Sequence, residues 1–334
     1  MGETPADHST MRPKVYVTRL IPEEALKKLA ENVDYHIWEG ELPIPRDVLL
    51  REVAPVDALL SLLTDKVDGP IMDAAPKLRV ISNMAVGFDN IDVREATKRG
   101  IMVCNTPGVL TETTADFAFA LLLAAARRVV EGERDVRAGK WKTWGPMILL
   151  GRDVHHATLG IIGIGRIGAE VAKRAKGFDM KIIYYDTTRR PEMEKKLGVE
   201  FRDLKSLLAE SDFVSVHCPL LPETRHLIGE EQFKIMKKTA ILVNTARGQI
   251  VDPKALYSAL RDRQIAYAAL DVTEPEPLPM NDPLLTLDNI VITPHIASAS
   301  VATRTKMAMM AVDNLLAGIK GERPPYIVNP EVLT

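Results

Sequence analysis

The stretch Leu159-Gly160-Ile161-Ile162-Gly163-Ile164-Gly165-Arg166-Ile167-Gly168 is the most informative segment of this chain. An apolar strand runs into the pattern Gly-x-Gly-x-x-Gly, and a helix-forming segment follows to Lys176. In this pattern Gly163 permits a tight turn, Gly165 lets the backbone approach a pyrophosphate, and Gly168 lets helix and strand pack closely. The free N–H groups at the start of the helix favour a bound phosphate. Asp186, at the end of the next apolar run, completes a dinucleotide-binding fingerprint.

Composition indicates an ordinary soluble globular protein. The chain has 334 residues, which suits two domains, with 46% hydrophobic and 26% charged residues. A net charge of −2 gives no electrostatic case for binding nucleic acid or an anionic membrane. The two cysteines, Cys104 and Cys218, have no metal-ligand spacing, so we expect neither a disulfide framework nor a metal site.

The sequence also bears on the compartment. The longest apolar run, from Phe117 to Ala126, is too short to span a bilayer. The residues from Gly2 to Thr10 are polar, are expected to be disordered, and lack the hydrophobic segment of a signal peptide. We therefore expect a cytoplasmic protein.

Strand and helix patterns alternate along the whole chain, which predicts an α/β fold with two doubly wound domains built on parallel sheets. The predicted strands are 14–18, 58–63, 79–84, 101–105, 158–162, 181–186, 213–217, 240–244, 266–271 and 290–293. The predicted helices include 22–31, 92–99, 111–130, 165–176, 203–210, 230–234, 253–262 and 301–316.

The domain boundary is expected at the Pro/Gly break Asn105-Thr106-Pro107-Gly108. The helix predicted for 111–130 is apolar on all sides in its middle, so it should be buried all round. Two interpretations of that helix remain open: a subunit interface, or a long internal helix between the domains. We expect the last helix, 301–316, to return to the first domain.

Three residues that follow strands of the second half are candidates for catalysis. Arg247 offers a forked, permanently charged donor set for a carboxylate or a carbonyl oxygen. His295 can donate a proton to the oxygen of a 2-oxo acid as hydride reaches the carbon. Glu276 can bond the far ring nitrogen of His295 and fix its tautomer, although Glu274 is an alternative acid. Ligands of open α/β sheets bind at the carboxyl ends of strands, where all three would lie.

These segments together resemble the D-isomer-specific 2-hydroxyacid dehydrogenase family, and within it the glyoxylate/hydroxypyruvate reductases are most similar. The resemblance covers about residues 13–330. It rests on the glycine fingerprint and on the segments Val86-Gly87-Phe88-Asp89-Asn90-Ile91-Asp92, Asn244-Thr245-Ala246-Arg247-Gly248, Leu270-Asp271-Val272, Glu276-Pro277 and Thr293-Pro294-His295.

The resemblance implies a specific architecture. A Rossmann NAD-binding domain, residues 107–295, would be inserted into a flavodoxin-like substrate domain made of residues 1–106 and 296–334. The Rossmann domain would carry a dimerisation helix at 111–130, so a homodimer is expected.

The resemblance also implies site residues. Arg247, Glu276 and His295 match the catalytic residues, and Arg247 and His295 would also contact the substrate. The backbone at Val86 and Gly87 would hold the substrate carboxylate. Trp144 would reach the neighbouring subunit's substrate pocket, or would be buried at the dimer contact without a role in selectivity. The expected cofactor-binding residues are Gly163, Ile164, Gly165, Arg166, Ile167, Gly168, Asp186, Thr187, Thr188, Arg189, Cys218, Pro219, Thr245, Ala246, Arg247, Asp271, His295 and Ala297.

Two positions depart from common members of the family. Ala297 stands where many members have Gly, which adds a methyl group beside the expected nicotinamide. Asp186 stands where several NADPH-dependent reductases have a small polar residue followed by Arg. A carboxylate there should bond the ribose hydroxyls and repel a 2′-phosphate, so NAD(H) is favoured, while Arg189 and Arg190 leave NADP(H) open.

The expected activity is reduction of glyoxylate or hydroxypyruvate, as 2-oxo acids, to glycolate or D-glycerate with NAD(P)H. Two alternatives remain open: a dehydrogenase for another D-2-hydroxy acid, and a non-catalytic NAD-sensing binding protein.

Overall fold

A computed structural model describes residues 12–334, so the predicted polar lead of residues 2–10 lies outside the described residues. Its strands, numbered in chain order, are β1 (Lys14–Val17), β2 (Asp34–Ile37), β3 (Ala58–Ser61), β4 (Val80–Asn83), β5 (Met102–Cys104), β6 (Thr158–Ile162), β7 (Lys181–Tyr185), β8 (Glu200–Phe201), β9 (Phe213–Val216), β10 (Ile241–Asn244), β11 (Tyr267–Leu270) and β12 (Ile290–Ile292).

The α-helices, numbered in the same way, are α1 (Glu23–Asn32), α2 (Arg46–Glu52), α3 (Gly69–Asp73), α4 (Val93–Lys98), α5 (Thr111–Ala126), α6 (Val129–Arg137), α7 (Arg166–Lys176), α8 (Pro191–Leu197), α9 (Leu204–Glu210), α10 (Glu230–Ile235), α11 (Pro253–Arg261) and α12 (Val301–Ile319). Among the described residues, no helix combines the length and the apolar character needed to cross a membrane.

The chain divides into two compact units. Unit 1 consists of the chain up to Val109 together with Ser300–Thr334, and unit 2 is Leu110–Ala299. Both are parallel sheets flanked by helices, which confirms the predicted α/β class with two doubly wound sheets. The functional roles expected for the two domains stay predictions.

Unit 1 contains a five-stranded parallel sheet in the order β2-β1-β3-β4-β5. Strands β3, β4 and β5 are buried throughout, because each carries apolar side chains on both faces of a covered sheet. Helix α12 packs on β3, β4 and β5, so the chain does return to this unit at its end. Gly318 of α12 lies so close to Val80 that an added Cβ would be 2.8 Å from the Val80 Cβ.

Unit 2 contains a seven-stranded parallel sheet in the order β12-β11-β10-β9-β6-β7-β8. In this sheet Leu159 of β6 is aligned with Phe213 of β9 on one side and with Ile182 of β7 on the other. Strand order reverses between β6 and β9, and ligands of doubly wound sheets bind at the carboxyl ends of the strands beside such a reversal. The glycine segment 163–168 follows β6 and therefore lies at this position.

The helix predicted for 111–130 is two helices. Helix α5 ends at Ala126, and Arg128 takes a left-handed conformation with φ of +53°, after which α6 begins. Helix α5 packs on α7 and on strands β10, β11 and β12 of its own unit. Within the single chain the helix is buried on most sides, while Asp116 and Ala120 remain exposed. Both interpretations of this helix, a subunit interface and an internal helix, therefore stay predictions.

Candidate functional site

The glycine segment has the close contacts expected of a dinucleotide loop. Gly163 has φ of +93°, and a Cβ there would lie 2.6 Å from the backbone nitrogen of Cys218. A Cβ on Gly168 would lie 2.2 Å from the Gly163 carbonyl oxygen. In contrast, a Cβ on Gly165 would meet no described atom within 4 Å. The first and third glycines are thus required by packing within the unit, while the second borders open space.

The residues around this loop fit a dinucleotide. Gly165 is the N-cap of α7 and provides no side-chain cap, so the first N–H groups of this 11-residue helix are available for phosphate. The side chain of Ile164 is buried and that of Ile167 is partly buried in the core of the unit. The Thr245 hydroxyl, in the loop after β10, is buried and has no hydrogen-bond partner among the described residues. An unpartnered buried hydroxyl here is consistent with a ligand that supplies the missing bond.

Asp186 follows β7 directly and interacts with the glycine loop. One carboxylate oxygen accepts a hydrogen bond from the Ile164 N–H at 3.3 Å, and the other accepts one from the Thr187 hydroxyl at 3.3 Å. Thr187 and Thr188 are exposed. The carboxylate therefore lies beside the loop, where a ribose would be expected.

Arg189 is held by an acid of its own unit. Its Nε and Nη2 atoms donate to the two carboxylate oxygens of Glu194, both at 2.8 Å. Glu194 also accepts a hydrogen bond from the Tyr184 hydroxyl at 2.8 Å. The Arg189 guanidinium and the Tyr184 hydroxyl together lower the pKa of Glu194 to about 2. This two-pronged ion pair occupies one of the two guanidinium groups, those of Arg189 and Arg190, that the sequence offered as 2′-phosphate ligands.

The segment after β9 borders the glycine loop. Cys218 is partly buried, and burial raises the pKa of its thiol to about 11, so the thiol is neutral near pH 7. Pro219 is exposed. Sequence analysis did not select the preceding residue, His217, whose Nε2 lies 2.7 Å from the Ser215 hydroxyl. Burial lowers the pKa of His217 to about 4.

The loop after β10 positions Arg247 through backbone bonds. The Asn244 side chain donates to the Arg247 carbonyl oxygen at 2.9 Å and accepts from the Ala246 N–H at 3.0 Å. Gly248 packs directly on the next loop, because a Cβ there would lie 2.0 Å from the Thr273 carbonyl oxygen. The chain thus brings the loops after β10 and β11 together at one edge of the sheet.

Glu276 and His295 are in direct contact. The His295 Nδ1 donates to a Glu276 carboxylate oxygen at 2.5 Å, which fixes the tautomer and leaves Nε2 without a bonding partner in the part of the chain that is described. The alternative acid, Glu274, is bonded instead to Arg225 and to His226, whose Nε2 lies 2.6 Å from a Glu274 oxygen. Glu276 is therefore the carboxylate that orients the histidine.

Asp271 anchors the loop that carries His295. This carboxylate is only 1% exposed and accepts hydrogen bonds from the Thr293 hydroxyl at 2.6 Å, the Ile296 N–H at 2.9 Å and the Ala297 N–H at 2.7 Å. Its backbone carbonyl accepts from the His295 N–H at 2.9 Å. From the sequence, only a cofactor contact was expected of Asp271, and its anchoring role was missed, since no short pattern links residues 22 to 26 positions apart.

The remaining predicted residues lie elsewhere. Val86 and Gly87 form a half-buried turn after β4 in unit 1. Trp144 belongs to unit 2 and its surface is 79% exposed. Within residues 12–334, no group of three or more His, Cys, Asp or Glu side chains could hold a metal ion.

Comparison with known proteins identifies the family. The model of the D-isomer specific 2-hydroxyacid dehydrogenase NAD binding domain matches residues 119–297. The chain belongs to this family. It is 60% identical to a glyoxylate reductase of Korarchaeum cryptofilum over 97% of this chain and 98% of that protein. It is 54% identical to a glyoxylate reductase of Pyrococcus horikoshii, again over 97% and 98% of the two chains.

Solved structures agree with this family membership. A protein of Thermus thermophilus superposes with a TM-score of 0.90 at 48% identity, covering 94% of this chain and 99% of that one. An NADPH-dependent glyoxylate/hydroxypyruvate reductase of Sinorhizobium meliloti superposes with a TM-score of 0.83 at 33% identity, covering 95% and 98%. The family member described here is accordingly a nicotinamide-dependent D-2-hydroxyacid dehydrogenase.

Proposed function

We propose that this enzyme reduces glyoxylate and hydroxypyruvate to glycolate and D-glycerate, with Arg247, Glu276 and His295 as its catalytic residues. The observation that carries the proposal is the bond between His295 Nδ1 and Glu276, which leaves the opposite ring nitrogen for the substrate. The identity of 52–60% to several glyoxylate reductases over nearly the whole chain supports the choice of substrate.

In this proposal each residue acts on the substrate oxygen or its carboxylate. The bound nicotinamide supplies the hydride for the carbonyl carbon. The His295 Nε2–H donates its proton to the oxygen as negative charge develops there, and Glu276 keeps the ring in the required tautomer. Arg247 provides a fixed positive charge that polarises the carbonyl and attracts the anionic substrate.

The test is consumption of NADH, followed at 340 nm, with glyoxylate or hydroxypyruvate as substrate. We expect turnover by the wild type and a fall in kcat of about 10²–10⁴ for His295→Asn, with NADH affinity retained. His36→Asn is the matched control, because His36 is exposed on edge strand β2 of unit 1. Absence of turnover with any 2-oxo acid and either cofactor would reject the proposed activity. Turnover limited to bulkier 2-oxo acids would move the proposal to another D-2-hydroxy acid.

We further propose that NAD(H) is the preferred cofactor. Asp186 presents a carboxylate beside the glycine loop, where it would accept bonds from ribose hydroxyls and repel a 2′-phosphate. Arg189, one of the two candidates for binding that phosphate, is engaged by Glu194.

We also propose that the enzyme is a cytoplasmic homodimer. The segment from α6 to β6 carries exposed apolar side chains, which are typical of an interaction surface. Both cysteines, Cys104 and Cys218, are free thiols, as is usual for a protein of a reducing compartment.

A further inference from the structure

Two asparagines of unit 1 bond the turn that follows β4. The Asn105 side chain donates to the Val86 carbonyl oxygen at 2.8 Å, and the Asn83 side chain donates to the Gly87 carbonyl oxygen at 3.0 Å. Asn83 is fully buried at the end of β4, and Asn105 follows β5. Both side chains therefore hold the turn from the sheet side.

The preceding carbonyl is held in the same way by the backbone. The Ala85 carbonyl oxygen accepts a hydrogen bond from the Thr106 N–H at 2.9 Å. Three successive carbonyl groups, those of residues 85–87, thus have partners in the same region of unit 1.

The direction of these carbonyls fixes the direction of the next three N–H groups. A trans peptide unit is planar, and its N–H points opposite to its C=O. When the carbonyls of residues 85–87 point toward Thr106, Asn105 and Asn83, the N–H groups of residues 86–88 point the other way. None of these three N–H groups donates to another residue within the described range 12–334. Successive unpaired N–H groups with a common direction form an anion-binding concavity.

A buried network holds Asn83 and the far end of the turn. Asn83 accepts a hydrogen bond from the Ser61 hydroxyl at 3.0 Å and donates to the Asn90 side chain at 3.1 Å. Asn90 donates to the carbonyl oxygens of Leu62 and Asp65 at 3.0 and 2.9 Å. The turn is therefore bonded at both ends, as a preorganised anion site requires.

We propose that Asn105 and Asn83 are positioning residues that direct the N–H groups of residues 86–88 at the carboxylate of the 2-oxo acid. This inference rests on the proposed function and on the expectation, drawn from the family resemblance, that the backbone at Val86 and Gly87 holds the substrate carboxylate. Neither asparagine touches the substrate; each acts by holding one peptide unit in the binding orientation. Loss of either bond lets its peptide rotate, and the carboxylate then loses an aligned donor.

The test compares Asn105→Ser with Asn329→Ser. Asn329 is a matched control, because it is another asparagine of unit 1, itself buried, whose side chain bonds backbone groups, the Val103 N–H at 2.7 Å and the Ile101 carbonyl oxygen at 2.9 Å. We expect Asn105→Ser to raise KM for glyoxylate about tenfold, while kcat changes less than about threefold and NADH affinity is kept. Inhibition by oxamate, an unreactive carboxylate of similar shape, should weaken by the same factor. Asn329→Ser should lower the melting temperature and leave KM and oxamate inhibition unchanged.

A second readout separates positioning of the carboxylate from general damage. Glyoxal is an aldehyde of similar size without a carboxylate, so the Asn105→Ser exchange should reduce kcat/KM for glyoxylate about tenfold more than for glyoxal. Asn83→Ser should likewise reduce kcat/KM for glyoxylate more than kcat/KM for glyoxal, with a larger loss of stability. A folded Asn105→Ser variant with unchanged KM, or an equal loss for both substrates, would overturn the inference. Failure of the wild type to reduce any 2-oxo acid would instead reject the proposed function.

Discussion

His295 takes a backbone conformation that is uncommon for residues other than glycine, with φ of +54°. Non-glycine residues with positive φ are strained, and they persist where surrounding bonds impose the conformation. Here the bonds come from Asp271, whose carboxylate and backbone carbonyl hold the loop before and after the histidine. The protein thus stabilises a strained loop in order to present one imidazole nitrogen.

The candidate site was predictable from sequence only in part. The sequence predicted that Arg247, Glu276 and His295 share a site, because each follows a strand and the strand ends of a parallel sheet meet at one edge. The sequence could not decide between Glu276 and Glu274, since both lie in one Pro-rich loop. Only the folded loop shows which carboxylate bonds the His295 imidazole. The anchoring by Asp271 was equally hidden, because it consists of bonds to backbone amides.

The first prediction concerns Asp186 and cofactor choice. Asp186→Ser removes the charge that would repel a 2′-phosphate, so the ratio of kcat/KM for NADPH to that for NADH should rise by about tenfold or more. Initial rates with both cofactors at saturating glyoxylate measure the ratio. Asp179→Ser is a suitable control, because Asp179 follows α7 on the side of the sheet where β7 begins. An unchanged ratio in Asp186→Ser would contradict the assignment of NAD(H).

The second prediction concerns His217 and pH. Burial lowers the pKa of His217 to about 4, while an unfolded chain protonates its histidines near pH ~6.5. The contribution of neutral, buried His217 to the free energy of unfolding is therefore fully present above about pH 6.5, and it is lost as pH falls toward 4. Between pH 7.5 and pH 5, the free energy of unfolding measured with urea should fall by about 1–2 kcal/mol more in the wild type than in His217→Gln. His36→Gln, at an exposed histidine, should retain the wild-type loss; equal losses in all three proteins would contradict the prediction.

At the scale of elements, the buried strands were predicted within one or two residues and the exposed ones were missed. Strand β2 alternates exposed and half-buried residues at the edge of its sheet, and β8 has only two residues. Short edge strands have little apolar pattern, because they pack on one neighbour only. The break between α5 and α6 was also missed, since the sequence around Arg128 contains neither Gly nor Pro.

The third prediction compares the ends of two helices. Gly198 ends α8 with φ of +64°, whereas Gly177 ends α7 with φ of −64°. Gly198→Ala should cost about 1 kcal/mol, because a side chain disfavours the left-handed region although the space there is open. Gly177→Ala should be neutral or stabilise by up to about 1 kcal/mol, since its Cβ would contact the Arg174 carbonyl at an ordinary 3.4 Å. Thermal melts should show a lower melting temperature for Gly198→Ala and an unchanged or higher one for Gly177→Ala, and equal shifts would show that backbone conformation is not the cause.

At the scale of the whole molecule, the second unit is an insertion in the chain of the first. Helix α12 is preceded by its N-cap Ser300, whose hydroxyl accepts from the Thr303 N–H, and it returns to the sheet of unit 1. There the Ser82 hydroxyl donates to the Ala311 carbonyl oxygen at 2.7 Å, and Asn314 donates to the Asn105 carbonyl oxygen at 2.9 Å. The return was expected from the order of the elements and supported by the family resemblance, but periodicity could not establish it, because periodicity describes a helix and does not identify its partner.

The last prediction concerns association of two copies. The exposed apolar side chains of unit 2 concentrate in one segment, where Trp141, Met147 and Leu150 are 62%, 76% and 58% exposed. A cavity of about 380 Å³, lined in part by Leu150 and Arg152, lies beside this segment. Exposed apolar side chains grouped in one segment are stabilised when a second copy covers them.

The test of this surface is the mass in solution. Light scattering should give twice the chain mass of 37.0 kDa for the wild type, and a smaller mass at low concentration for the double variant Met147→Glu/Leu150→Glu. Leu42→Glu is the matched control, because Leu42 is equally exposed but belongs to unit 1 and lies outside the segment.

The double variant also separates the two interpretations of Trp144. If Trp144 reaches the partner's substrate pocket, dissociation should raise KM for glyoxylate; if it only fills the contact, KM should stay unchanged. A wild type that remains a monomer at all concentrations would contradict the dimer.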